Sequence, residues 1–141
     1  MPVRGIRGAT TATENSAAAI CDATDELLRA IMERNNIDIT EIASAFFTTT
    51  PDLTAEFPAY AARGLGWLTV PLLCGHEMNV PLGSVPSAIP RCIRVLIHLN
   101  TDLPQSAMRH AYLREAVTLR RDLVERYGQS DDPRGDIAQM P

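Results

Sequence analysis

The chain has 141 residues, the length of a single domain with room for one hydrophobic core. Its 45% hydrophobic and 21% charged residues are ordinary for a globular protein, and no apolar run approaches a membrane span. A net charge of −4 without a basic stripe disfavours nucleic acid as a partner. Three cysteines cannot all pair, and the first residues lack a signal-peptide pattern, so we expect reduced thiols in a cytoplasmic protein.

In chain order, extended and helical patterns alternate, which predicts an α/β (α+β) fold with a mixed five-stranded sheet on one long helix. The predicted strands are residues 3–10, 42–50, 67–73, 91–99 and 111–119. The long helix begins at a capping signal, Thr11 or Thr13, and ends near Asn35. Short helical segments are predicted at residues 57–65, 101–104 and 122–127, and a loop at 81–90. We expect a single domain over residues 1–127 and a disordered tail over 128–141.

The fourth predicted strand contains the most informative residue, Arg94. With period two, one face of this strand is continuously apolar and predicts a core face. The other face is also rather apolar, yet it carries Arg94, whose guanidinium cannot lose its charge. Arg94 therefore needs an anion, which is either a neighbouring carboxylate or a ligand. Arg7 interrupts the first strand in the same way.

Familiar catalytic motifs are absent, since the chain has no serine elbow, no P-loop and no dinucleotide-binding glycine pattern. Cys74, His76, Glu77 and Cys92 do not have the spacing of known zinc sites, so we expect no metal. Cys74 and His76 would share one side of a strand, which leaves a cysteine nucleophile open as an alternative. The arginines, with Glu77 and a tyrosine, favour binding of an anionic ligand.

These segments, taken together, resemble the monofunctional chorismate mutases of the Bacillus type from residue 3 to about Leu123. The resemblance is carried by ordered motifs with near-constant spacing: Arg4-Gly5-Ile6-Arg7-Gly8-Ala9-Thr10-Thr11, Thr50-Pro51-Asp52-Leu53, Phe57-Pro58-Ala59, Gly66-Trp67, Val70-Pro71, Cys74 with Glu77-Met78, Cys92-Ile93-Arg94-Val95, and Arg109-His110 with Tyr112-Leu113. Single pieces would carry little weight, but the ordered set is specific.

The resemblance implies a homotrimer whose sheets pack around a threefold axis in a pseudo-α/β-barrel, with an active site at each subunit interface. It implies conversion of chorismate to prephenate by a Claisen rearrangement without a cofactor. By position, Arg94 would bind the ether oxygen and a carboxylate, Arg7 the enolpyruvyl side, Tyr112 a carboxylate, and Glu77 with Cys74 the ring hydroxyl and ring. The remaining implied substrate contacts are Phe57, Ala59, Leu73 and Leu119 in the pocket, and Arg63 and Arg120 at its mouth.

Two features depart from that family's pattern. Tyr60 stands where the family commonly has a lysine, and the loop between Glu77 and Arg94 is several residues longer. Two alternative functions remain open at this point. One is an imine deaminase of similar trimeric architecture, although its glycine and asparagine signatures are not found; the other is a non-catalytic metabolite-binding protein that uses the same interface pocket.

Overall fold

The structure is a computed structural model that describes residues 1–120, with only the backbone described at Arg120. Five strands form one mixed sheet in the order β3-β2-β4-β1-β5. Their bounds are Val3–Thr11 for β1, Ile42–Thr49 for β2, Leu72–His76 for β3, Cys92–Asn100 for β4 and Ala111–Tyr112 for β5. Strand β4 pairs antiparallel with β1 and β2, whereas β3 and β5 add in parallel at the two edges. The predicted mixed five-stranded sheet is confirmed.

One long helix covers one face of the sheet. Helix α1 spans Ala17–Asn35, and helix α2 spans Ala59–Gly64. The face of α1 towards the sheet is buried, as helical spacing predicts: Ile20, Ala23, Leu27, Leu28 and Ile31. The predicted core face of β4 is confirmed, because all of its residues are at most 5% exposed: Ile93, Val95, Ile97 and Leu99. Short 3-10 helices span Ile39–Glu41, Gln105–Ala107 and Arg114–Arg120.

The other side of the sheet, which we call the outer face, carries an apolar row. Arg7 lies opposite Leu96 on β4, Leu96 lies opposite Phe46 on β2, and Phe46 pairs with Leu73 on β3. Leu96, Phe46 and Leu73 are 37%, 40% and 63% exposed. Four paired residues across four strands therefore place one cation at the end of three solvent-exposed apolar side chains.

Three predictions were wrong: the bounds of the third strand, the length of the fifth strand and the N-cap of α1. The third strand was predicted at 67–73. The chain from Trp67 to Pro71 is irregular and bent, and β3 begins at Leu72 and continues to His76. The Trp67 side chain is buried, and its backbone N–H donates to the Ala62 carbonyl at the end of α2. Gly66, just before it, has a φ of 95°. A short apolar run in irregular chain can have the same pattern as a short strand, although here only Trp67 and Val70 are buried and Leu68 is exposed.

The predicted fifth strand at 111–119 was also too long. Strand β5 contains only Ala111 and Tyr112, because Arg114 has a φ of 53° and is the first residue of a 3-10 helix. A left-handed residue cannot continue a strand. The N-cap of α1 is Ser16, whose Oγ accepts from the Ala19 N–H, while Thr11 still belongs to β1.

The remaining expectations are met more closely. The short helix at 57–65 is found as α2, and the helical turn predicted at 101–104 begins just after Pro104 instead. Residues 81–90 form a loop without helix or strand. The helical turn at 122–127 and the tail at 128–141 lie outside the described residues. Within residues 1–120, no helix is both long and apolar enough to cross a membrane.

Replacing Gly8 by alanine is expected to destabilise the packing of β1 on α1. A Cβ atom at Gly8 would lie 2.6 Å from Ile31 Cδ1 and 3.1 Å from Leu27 Cδ1. Overpacking of this kind costs about 1–3 kcal/mol. The measurement is the free energy of unfolding in urea at fixed protein concentration. Gly5→Ala is the matched control, because its Cβ would meet nothing nearer than 3.7 Å; equal stability of the two variants would contradict the packing argument.

Candidate active site

Arg94 lies on the outer face of β4 and has two partners, one through an ion pair and one through a hydrogen bond. Its Nε is 2.8 Å from Glu77 Oε2, and both of these atoms are shielded from solvent. Its Nη2 donates to the Ser87 carbonyl at 3.1 Å. The side chains are only partly exposed, 34% for Arg94 and 20% for Glu77. Glu77 is therefore one anion partner of Arg94, and the other guanidinium N–H groups remain available to a ligand.

Arg94 shares a surface cavity with Arg7 and Tyr112. In the sheet, Ala9 pairs with Arg94 on one side and with Tyr112 on the other, so all three lie on the outer face. The cavity holds about 400 Å³ and includes Phe46 among its lining residues. Within the described residues, the Arg7 guanidinium makes no hydrogen bond or ion pair. Two cations and a phenol thus converge on one cavity.

Tyr112 is buried against the outer face at the end of the sheet. It packs with Ala9, Cys92 and Ala116, and Leu119 packs against the same cluster. The 3-10 helix after β5 therefore packs against Tyr112, which lines the cavity. The structure places Leu119 against the same cluster as Tyr112, but Leu119 is not among the residues that line the cavity. The Arg120 side chain lies outside the described part of the chain.

A second cavity, of about 460 Å³, adjoins the first at Arg94 and is covered by the long loop between β3 and β4. Glu77 lines it together with Thr50 and Asp52 from the end of β2. Apolar residues of the loop form the rest of the wall: Met78, Val80, Leu82, Val85 and Ile89. The loop therefore encloses the Arg94–Glu77 pair on the side away from Arg7.

A clamp that sequence reasoning missed fixes the start of β4. The buried Cys92 N–H donates to Thr50 Oγ1 at 2.9 Å, and the Thr50 hydroxyl donates to Asp52. The second Asp52 oxygen accepts from the Arg91 N–H at 2.9 Å, where Arg91 has a φ of 49°. The Thr-Pro-Asp sequence was the available signal, because such residues often bond to nearby backbone groups.

A third cavity, of about 360 Å³, contains Phe57 and Cys74 but neither of the two arginines of the first cavity. Cys74 lies opposite Phe47 on the α1 side of the sheet, whereas Leu73 lies on the outer face. Burial raises the pKa of the Cys74 thiol, although a hydrogen bond from the Ala59 N–H and the charge of Arg63 partly oppose this. Phe57 is 66% exposed. The predicted site residues thus form two groups.

The nucleophile alternative gains no support from the geometry of this third cavity. His76 Nε2 is 3.2 Å from the Leu53 carbonyl, and no hydrogen bond joins His76 to Cys74 within the described residues. Burial also raises the pKa of the Cys92 thiol to about 11, with Arg94 partly opposing it. Both thiols are therefore protonated at neutral pH, which is the unreactive form. Residues 1–120 contain no group of three or more metal-ligating side chains arranged to hold an ion.

The fold is a mixed α+β domain, and its first cavity brings two guanidinium groups and a phenol together on the outer face of the sheet. The family model of chorismate mutase type I matches residues 3–123. The chain is 54% identical to chorismate mutase AroH of Thermus thermophilus over 122 residues, which is 86% of this chain and 96% of that protein. It is 43% identical to chorismate mutase AroH of Bacillus subtilis over 124 residues, 87% of this chain and 94% of that one.

A solved structure supports the same assignment. The chorismate mutase from Clostridium thermocellum superposes with a TM-score of 0.72 at 44% identity, covering 77% of this chain and 93% of that chain. The chain therefore belongs to the type I chorismate mutase family. The resemblance drawn from the ordered motifs is confirmed.

Replacing Thr50 by valine is expected to lower stability by about 1–3 kcal/mol, because the buried Cys92 N–H loses its acceptor while side-chain shape is kept. The measurement is the free energy of unfolding in urea. Thr54→Val is the control, since Thr54 Oγ1 accepts only an exposed bond from Asn15, and its cost should stay within about 0.5 kcal/mol. A Thr50→Val protein as stable as Thr54→Val would show that the clamp does not support β4.

Proposed function

We propose that this protein, as a type I chorismate mutase, converts chorismate to prephenate in the cavity that contains Arg94, Arg7 and Tyr112. The observation that carries this proposal is the arginine held in place by Glu77 and by the Ser87 carbonyl. Family membership supports the reaction, and the geometry supports the residue roles. Purified protein should accelerate the loss of chorismate absorbance; a folded protein that binds chorismate without turnover would favour the metabolite-binding alternative instead.

The chemistry of the rearrangement is favoured by positive charge held in a fixed position beside the ether oxygen of the substrate. As the C–O bond breaks and the new C–C bond forms, electron density builds on the departing ether oxygen. No nucleophile attacks and no proton has to move, so catalysis consists of holding a compact conformer and stabilising that oxygen. An acceleration of about 10⁶-fold requires roughly 8 kcal/mol. One preorganised donor contributes about 3–4 kcal/mol, and the conformer and the other cation supply the rest.

Arg94 is suited to the ether oxygen because its orientation is set before the substrate arrives. Glu77 forms an ion pair with Nε, and the Ser87 carbonyl accepts from Nη2, so the other guanidinium N–H groups can donate to the ether oxygen and a carboxylate. Glu77 Oε2 faces Arg94, which leaves Oε1 to accept from the ring hydroxyl of the substrate. Because these donors already point at the ether oxygen, they do not have to reorient when negative charge develops on it in the transition state.

Arg7 and Tyr112 complete the proposed anion contacts. Arg7 is exposed and has no anionic partner within the described residues, so it can make a two-point contact with the carboxylate on the enolpyruvyl side. Tyr112 lines the same cavity and contacts a carboxylate. Chorismate is a dianion, and two arginines in one cavity match its charge.

We further propose a homotrimer in which each active site lies between two protomers. One half-site is the first cavity with Arg7, Arg94 and Tyr112, together with Glu77, which lines the adjoining second cavity. The other half-site comprises the remaining residues that the resemblance implies, in and around α2 and β3: Phe57, Ala59, Arg63, Leu73 and Cys74. The separation of these groups within one protomer supports this arrangement, because the cavity that contains Cys74 includes neither arginine of the first cavity. The exposed row of Leu96, Phe46 and Leu73 supports packing of sheets around a threefold axis, since apolar rows are buried in stable assemblies.

Arg94→Lys is expected to lower kcat by at least ~10²-fold, because lysine keeps the charge but loses the planar fork that contacts Glu77, Ser87 and substrate together. The measurement is the steady-state rate of chorismate loss, with circular dichroism to verify the fold. Cys74→Ala is the control and should retain most of kcat. Near-wild-type turnover by Arg94→Lys would make Arg94 structural, and a complete loss in Cys74→Ala would restore the nucleophile alternative.

Mixing two inactive variants is expected to restore activity if the site is shared between protomers. Arg94→Ala removes one half-site, and Phe57→Glu places a carboxylate against the dianion in the other at an exposed position. After unfolding and refolding a one-to-one mixture, about a quarter of interfaces should combine two intact halves. The measurement is chorismate turnover together with mass by sedimentation. Absence of recovery in mixed trimers, or an active monomer, would contradict a shared site.

A further inference from the structure

The open edge of β1 contains a contact that the roles given above do not use. Strand β5 pairs with β1 only at Gly8 and Ala9, so regular pairing on this side does not include Arg7. The Arg7 N–H instead donates to Nδ1 of His110 at 2.9 Å. An imidazole nitrogen accepts a hydrogen bond only when it carries no proton, so the ring proton of His110 is on Nε2. A side chain thus replaces a strand as the partner of the Arg7 backbone.

His110 is itself held from the other side. The preceding residue, Arg109, exchanges two hydrogen bonds with the Asn35 side chain at the end of α1: its N–H donates to Asn35 Oδ1, and its carbonyl accepts from Asn35 Nδ2, each at 2.8 Å. The following residue, Ala111, is buried and belongs to β5. His110 is therefore a fixed acceptor placed between a helix end and a strand.

From these contacts we infer that His110 is a positioning residue for Arg7. Within the described residues the Arg7 guanidinium makes no hydrogen bond or ion pair, so its position depends on the backbone from which it extends. On one side that backbone is paired with β4, where Arg7 lies opposite the exposed Leu96. On the other side, the contact with His110 fixes it. This inference rests on the proposed function, because the role of Arg7 in binding the substrate is part of that proposal.

The same edge provides an internal comparison. At Gly5, the Gln105 amide makes an equivalent contact: the Gly5 N–H donates to Oε1 at 3.0 Å, and Nε2 donates to the Gly5 carbonyl at 2.7 Å. Gln105 and His110 both bond the edge of β1 by a side chain, but only His110 does so at the residue that lines the cavity. Their removal should therefore affect stability similarly and activity differently.

The test compares His110→Ala and His110→Asn in wild-type and Arg7→Ala backgrounds. We expect His110→Ala to lower kcat/KM about 10-fold through misplacement of Arg7. Asparagine Oδ1 can take the place of Nδ1, so His110→Asn should retain kcat/KM within about twofold. In the Arg7→Ala background, adding His110→Ala should change kcat/KM by less than about twofold, because the residue that it acts through is already gone. If His110→Ala does not fold, His110→Leu replaces it in the same comparison, alone and combined with Arg7→Ala.

Gln105→Ala is the matched control and should keep wild-type kcat/KM with a comparable loss of stability. Four outcomes would overturn the positioning role: unchanged activity in His110→Ala, an equal loss in His110→Asn, a full additive loss in the double variant, or an equal loss in Gln105→Ala. An active wild type with an equally active Arg7→Ala would also overturn it while leaving the mutase activity in place. An inactive wild type would overturn the proposed function itself.

Discussion

The position of β4 between β1 and β2 is the constraint on which the other features depend. A central strand has no free edge, so every substitution on it faces either the helix layer or the outer face. Its helix side is filled completely by branched apolar residues. Its outer side therefore has the only positions at which a charge on this strand can meet solvent or a ligand. Arg94 occupies such a position, with neighbouring strands on both sides that prevent the backbone from moving.

The Arg94–Glu77 pair shows how the chain keeps a charge in a partly apolar setting. A lone guanidinium there would lose hydration without compensation, since arginine does not release its proton. Glu77 supplies the opposite charge at hydrogen-bond distance, and both remain partly exposed, which limits the cost of removing them from water. The ion pair with Glu77 holds the Arg94 guanidinium in one orientation, so its other N–H donors point in fixed directions. The contribution of such a partly exposed ion pair to the free energy of unfolding is small, so its main effect is to orient Arg94.

Much of this arrangement was predictable from the sequence, because the core face of β4 and the two arginines stand out against their apolar neighbours. Strand ends were less predictable. Trp67 is as apolar as a strand residue, but it is buried in irregular chain after α2. Arg114 adopts a left-handed backbone conformation, which an arginine in the sequence does not indicate. The acceptors around the site were least predictable. The Ser87 carbonyl belongs to the main chain. His110 accepts from the Arg7 N–H because β5 pairs with β1 from Gly8 onwards, and this register is not visible in the sequence.

The contact from Arg94 to the loop has a consequence for how this loop changes over evolutionary time. The acceptor is the carbonyl of Ser87, a group that every amino acid carries. Side chains along the loop can therefore be exchanged while the hydrogen bond persists, provided that the chain follows the same path. Extra residues elsewhere in the loop are compatible with the same hydrogen bond, provided that the chain returns to place one carbonyl beside the guanidinium. A loop several residues longer than the family commonly has can therefore keep this contact, whereas the tightly packed strand beneath it tolerates changes in neither length nor side-chain volume.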